Sequence, residues 1–145
     1  MLVMVSTKQT ISIDLFISHA WRFHADWSRV VELVDEIPKL NWRNYSVPWH
    51  DPALRIHSEI GFKSISTTYK TQIIPCNLCI ILTDLYKAKS NILWLNLAQE
   101  HALEYEIPVY FMGADKNIGV EGLRRSEIRD ISYQSVEEVV LRHAN

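Results

Sequence analysis

The stretch Ile73–Thr83 restricts the fold of this chain more than any other. From Cys76 to Thr83 it reads Cys-Asn-Leu-Cys-Ile-Ile-Leu-Thr, apolar almost in succession rather than in alternation. A strand of that kind is buried on both faces, which calls for helices above and below a sheet. The flanking pattern agrees. A first strand over Ile11–Ser18 precedes Trp27, Val30, Val31, Val34 and Ile37 at helical spacing, with Pro38 near the end of that helix. Asn41–Pro52 is aromatic, polar and proline-punctuated, and predicts a short edge strand and a long loop. Leu54, Ile56, Ile60, Ile65 and Tyr69 suggest a second helix, interrupted by Gly61 and a Ser/Thr run. Ser90–Glu106 is a third helix, Ile107–Met112 a buried strand, 113–126 a loop and Ile128–Ser132 a short last strand. Ser135-Val136-Glu137-Glu138 has the lettering of a capping box opening a final helix. Strands alternating with helices predict an α/β fold: a flavodoxin-like three-layer sandwich with a central, mainly parallel, about five-stranded sheet.

Composition narrows the function more than it names it. A length of 145 residues fits one domain, residues 1–145. A net charge of −2 provides no electrostatic footprint for nucleic acid or for an anionic membrane surface. No run of about 18 apolar residues occurs, and Met1–Val5 is too short for a signal peptide, so a cytoplasmic location is expected. Cys76-Asn77-Leu78-Cys79 has redox spacing but opens a buried strand instead of a helix, so core thiols are expected. Neither the cysteines nor the histidines have metal-ligand spacing, and no metal is expected. Four glycines leave no Gly-x-Gly-x-x-Gly, no Walker loop and no Gly-x-Ser-x-Gly elbow.

Three places carry chemistry-bearing side chains. In an open α/β sheet ligands bind outside the carboxyl ends of the strands. The first strand ends there in Asp14-Leu15-Phe16-Ile17-Ser18-His19-Ala20-Trp21. A hydroxyl, an imidazole and an indole at such a place can hold a sugar-phosphate or stack on a flat heterocycle; as plain structure, Ser18 and His19 would be local caps. The second place is Asn41–Asp51, with Trp42, Asn44, Tyr45, Ser46 and His50, read equally well as an aromatic-anchored surface loop. The third is the helix Ser90–Glu106, where Trp94 and Ala98 share one face.

Taken in order, these pieces resemble a known family. Asp14–Trp21, then Asn-Trp-Arg-Asn-Tyr-Ser-Val-Pro (41–48), then Cys-Ile-Ile-Leu-Thr-Asp-Leu-Tyr (79–86), then Trp94-Leu95-Asn96-Leu97 ahead of a strand that Pro108 opens, look like a TIR-like domain. The similarity is to the subgroup of Thoeris anti-phage defence (ThsB) and spans nearly the whole chain. It implies cleavage of the nicotinamide–ribose bond of NAD, with the ADP-ribose part becoming a signal nucleotide for a downstream effector. NAD would then be substrate, with no separate cofactor. By matching motifs, Phe16, Ser18, His19 and Trp21 would line the nucleotide pocket. Asn44, Tyr45 and Ser46 would wall it, Asp84 and Tyr86 would rim it, and Trp94 would brace position 98. A phage protein as trigger and a homo-oligomer are further implications, the Asn41–Asp51 loop being the candidate for completing a neighbour's pocket.

One position departs from the family pattern. Where the helix typically reads Trp-Ile-x-x-Glu, this chain has Ala98. The missing carboxylate would hold ribose hydroxyls and stabilise positive charge at the anomeric carbon. Glu100 lies roughly 200° further around an ideal helix and cannot replace it. Ala98 thus reads either as a native loss of catalysis or as a Glu→Ala replacement that traps ligand. A non-catalytic TIR-like interaction or nucleotide-binding module is the alternative. A flavodoxin-like flavin binder is disfavoured by the missing phosphate loop.

Overall fold

The computed structural model describes residues 10–18, 25–46 and 58–145. Five strands, β1 (Ile11–Ile17), β2 (Leu40–Asn44), β3 (Leu78–Leu82), β4 (Val109–Met112) and β5 (Ile128–Arg129), form one sheet in the order β2-β1-β3-β4-β5. Every neighbouring pair is parallel. Four helices flank it: α1 (Ala25–Asp35), α2 (Glu59–Ile73), α3 (Ile92–Glu104) and α4 (Tyr133–His143). This is the α/β three-layer sandwich that the apolar run of the central strand demands.

Register assigns the layers. Phe16 of β1 lies beside Cys79 of β3, which lies beside Val109 of β4, so these three share a face. The Phe16 ring meets Tyr69 of α2 edge-on at 5.6 Å, placing α2 and its neighbour α3 there. Ile17, Ile80 and Tyr110 line the opposite face. The Tyr110 hydroxyl is 2.9 Å from His143 Nε2 of α4, and α1 packs beside α4. All five residues of β3 are buried, as a strand covered on both sides must be.

The elements start and stop for local reasons. Trp27, Val30, Leu33 and Val34 form the buried stripe of α1. In α2 the Ser58 hydroxyl caps the helix by accepting from Gly61 N at 3.0 Å. The Ser/Thr run does not break α2, because Thr67, Thr68 and Thr71 donate to the carbonyls four residues back. Ile73 and Ile74, expected to begin the central strand, instead finish α2: Ile74 N donates to Lys70 O at 3.0 Å. Pro75 follows, has no N–H to give, and ends the helix. The strand therefore begins at Leu78, and Cys76 lies in the connection before it. Ser135 does not cap α4. The cap is Ser132, whose Oγ accepts from Ser135 N at 3.2 Å, because its extended backbone turns the hydroxyl toward the first turn.

One contact at the carboxyl edge of the sheet requires glycine. Gly113 follows β4 with φ +152°, and its amide donates to Arg129 O at 2.9 Å. A Cβ built there would lie 2.1 Å from Thr83 Oγ1 and 3.2 Å from Thr83 N. We expect Gly113→Ala to destabilise the fold by roughly 2–4 kcal/mol, combining overpacking with an unfavourable φ. Thr83→Ala should recover part of that loss, since the Thr83 hydroxyl is buried without a hydrogen-bond partner among the described residues. Denaturant melts of the two single variants and the double check both expectations.

Candidate functional site

The chain leaves β1 through α1 to β2, then returns through α2 to β3 on the other side of β1. The direction of winding thus reverses between β1 and β3, and the carboxyl ends of those two strands mark the crevice where such sheets bind ligands. Ser18 follows β1 directly. Its amide donates to Ile80 O at 2.8 Å, and its hydroxyl accepts from Leu82 N at 2.8 Å. The residue is 1% exposed. Ser18 therefore ties β1 to β3 across the switch point, its side chain extending the ladder where the main chain turns away. In this arrangement its hydroxyl supports the crevice; it does not project into it.

The end of β2 is built in the same manner. Asn44 Oδ1 accepts from Ser46 N at 2.9 Å and from Ser46 Oγ at 2.5 Å, an Asx-type turn. Trp27 Nε1 of α1 donates to Ser46 Oγ at 3.3 Å. Tyr45 N donates to Leu15 O at 3.0 Å, and the Arg43 guanidinium lies 5.9 Å from the Tyr45 ring. Trp42 Nε1 donates to Asp35 Oδ1 at 2.8 Å, so this indole anchors β2 to α1. Ser46 is fully buried, while Asn44 and Tyr45 are partly open. His19, Trp21, Trp49 and His50 lie outside the described residues.

Asp84 and Tyr86 follow β3 but turn toward β4, away from β2. Asp84 Oδ1 accepts from Asp115 N at 2.8 Å, and Lys87 Nζ approaches Oδ2 at 3.7 Å. The Gln99 amide nitrogen donates to the Tyr86 hydroxyl. Burial pushes the Tyr86 phenol up to about 12, against the opposing effect of the Gln99 donor. Tyr86 lines a cavity of about 490 Å³ together with Asn96, Gln99, Asp115 and Asn117. Tyr86 thus belongs to a concavity between the β3–α3 and β4–β5 connections, and Asp84 is tied to the same side through the Asp115 amide. Gln99 and Asp115 escaped the sequence reading because neither stands next to a strand end in a recognisable motif.

Trp94 and Ala98 do share a flank of α3, and that flank meets the first strand through aromatic rings. Trp94 lies 5.9 Å from Tyr69 between ring centroids, and Tyr69 lies 5.6 Å from Phe16. A column of three rings thus runs from α3 through α2 to β1. Phe16, Tyr69 and Ala98 are completely buried. Burial raises the Tyr69 phenol well above its ordinary range. Among the predicted site residues Asp84 is the sole carboxylate, and it is held by Asp115 and Lys87.

Among the described residues no group of three or more His, Cys, Asp or Glu side chains is placed to hold a metal ion, and no helix is long and apolar enough to cross a membrane. No protein-family model and no curated protein matches the chain.

Two consequences follow from the packing around the site. Ser18→Ala leaves the buried Leu82 amide without its acceptor, and we expect a loss of about 1–3 kcal/mol by denaturant unfolding. The thiols should be inert in the folded protein. Burial pushes Cys76 up to about 12 and Cys79 further in the same direction. Unfolded thiols ionise near 8.5. Folded-state values above that favour folding at lower pH, and the contribution is lost as pH rises past about 9. Ellman's reagent at pH 8 should react with neither thiol until denaturant is added, and stability should fall between about pH 9 and 11.

Proposed function

We propose that this chain is a TIR-like domain of the NAD-cleaving, phage-defence type in a form that lacks its catalytic carboxylate. One observation carries the reading. Ala98, at the position of α3 where the family pattern places Glu, is fully buried and lies one turn beyond Trp94, whose ring belongs to the aromatic column that reaches β1. A carboxylate at this buried position would be costly unless it faced a developing opposite charge. The parallel sheet with its switch point at β1 and β3 supports the same reading, since a nucleotide would approach there.

In the complete enzyme, the nicotinamide–ribose bond breaks with its electron pair leaving on the pyridine nitrogen. Neutral nicotinamide departs, and an oxocarbenium ion remains on the ribose. A carboxylate at position 98 stabilises that cation until water or another nucleophile adds to the anomeric carbon. Alanine supplies neither charge nor a hydrogen-bond acceptor, so the present chain binds without cutting. The ADP-ribose product would act as a diffusible signal to a cytoplasmic effector, with a phage protein as the trigger. The second reading is a non-catalytic TIR-like interaction module. It is favoured by Ser18 and Ser46, whose hydroxyls are buried and already bonded within the scaffold.

Ala98→Glu tests the proposal, with Ala98→Gln as the uncharged control. Glutamate should raise nicotinamide release from NAD by on the order of 10³-fold over the parent chain, and glutamine should not. Circular dichroism reports whether each variant folds. Calorimetry of the parent chain with NAD and ADP-ribose provides a measurement independent of the variants. A folded Ala98→Glu protein without nicotinamide release, and a parent chain without heat at millimolar nucleotide, would leave the interaction module as the function.

A further inference from the structure

The outer face of α3 carries a stripe that the fold leaves uncovered. Ile92, Asn96, Gln99 and Leu103 recur at i, i+4, i+7 and i+11 and so lie on one side of the helix. The opposite flank is occupied: Trp94 meets Tyr69, and His101 Nε2 is 3.0 Å from Ser66 Oγ of α2. On the open side Ile92 is 37% exposed and Leu103 is 80% exposed. Two concavities border the stripe, of about 490 and 930 Å³, and Gln99, Val120 and Glu121 line both. In place of a fifth helix, the connection between β4 and β5 forms their far wall, with Val120 and Leu123 packed partly against the core.

Charge is distributed unevenly along this helix. Lys87 and Lys89 precede it, and Glu104 and Glu106 end it. Lys87 is engaged by Asp84 at 3.7 Å and Glu104 by His101 at 3.8 Å. Lys89 and Glu106 are exposed, and neither has an ion pair among the described residues. A two-fold axis crossing α3 between positions 97 and 98 would bring each side chain opposite one that suits it. Ile92 would face Leu103 of the second copy, Asn96 would face Gln99, and Lys89 would face Glu106. The Gln99 amide nitrogen already donates to Tyr86, which leaves its carbonyl to accept from Asn96 of the other copy. The stripe is thus complementary to itself when reversed, as an isologous contact requires.

We propose that this face is an antiparallel α3–α3 homodimer interface, with Leu103 of each copy entering the concavity lined by Ile92, Ile118 and Val120 of the other. α3 is about 20 Å long at 1.5 Å per residue, and one helix pair with its flanking groove falls below the ~1,200–2,000 Å² of stable complexes. The association is therefore weak, with Kd on the order of 10–500 μM. It does not rest on the proposed enzyme activity, since the stripe points away from the flank that bears Trp94.

Sedimentation velocity of the full chain from about 5 μM to 1 mM, at low and high salt, tests this. The parent protein should shift from monomer toward dimer with rising concentration, and less so at 1 M salt, where the Debye length is about 3 Å. Leu103→Glu should weaken association at least tenfold by placing a charge in the groove. Lys89→Glu and Glu106→Lys should each weaken it about fivefold, and the double charge reversal should return to within about twofold of the parent. All three positions are exposed, and thermal melts of the variants should stay within ~2 °C of the parent. A monomer at every concentration would overturn the proposal and leave the stripe to a different partner. So would a dimer that Leu103→Glu leaves intact, or a double reversal that fails to restore association.

Discussion

The backbone of β3 must be hydrogen-bonded on both edges while its side chains are buried on both faces, and the rest of the structure answers to that requirement. Buried amide and carbonyl groups without partners are costly, so β1 and β4 must lie alongside, and helices must cover both faces. Where the ladder runs out at the carboxyl end, side chains take over. The Leu82 amide finds the Ser18 hydroxyl, and the Asp115 amide finds the Asp84 carboxylate. The amino end is treated alike: Asn77 accepts from Asp14 N through its side chain and donates to Asp14 O through its amide. The residues at the strand ends are thus partly consumed in completing the ladder.

That division of labour bears on function. A site made of residues fully engaged in the scaffold is pre-organised but has little chemistry of its own. Ser18, Asn44 and Ser46 fasten the ends of β1 and β2 to the neighbouring strand and helix. The flank of α3 that carries Trp94 and Ala98 is different. There the aromatic column supplies shape and a low-polarity wall, and a single missing carboxylate separates binding from bond cleavage in the proposed reaction. The same helix offers its opposite side for self-association, so one element connects two separate surfaces.

Wherever periodicity alone decided, the sequence was legible. The continuous apolarity of Leu78–Leu82 made a doubly covered strand, and the spacing of Trp27, Val30 and Val34 made a one-sided helix. Boundaries were less legible, because they depend on single hydrogen bonds. Ile73 and Ile74 are as apolar as the strand beyond them, and the bond from Ile74 N to Lys70 O together with Pro75 assigns them to α2. Two serines at the start of α4 are candidates for one cap, and backbone geometry selects Ser132 over Ser135. In the candidate site, Ser18, Asn44 and Ser46 lie at the ends of β1 and β2 and Trp94 and Ala98 lie on α3, whereas Tyr86 lines a separate concavity. Asp84 and Tyr86 turn to the β4 side, a separation that strand order creates and linear spacing does not reveal.

By itself the amino-acid sequence determined the fold class, the order of strands and helices along the chain and the absence of a carboxylate at position 98, because apolar periodicity and residue identity are local properties. Only the tertiary structure decided that Ser18 and Ser46 are buried ties within the scaffold, and that Gly113 must lack a side chain beside Thr83. It also decided that Trp94 reaches β1 through Tyr69. Each of these is a contact between residues far apart in the chain. The partner of a buried polar group, or the neighbour of a glycine, is set by which strands lie side by side, and that order emerges only when the layers are assembled.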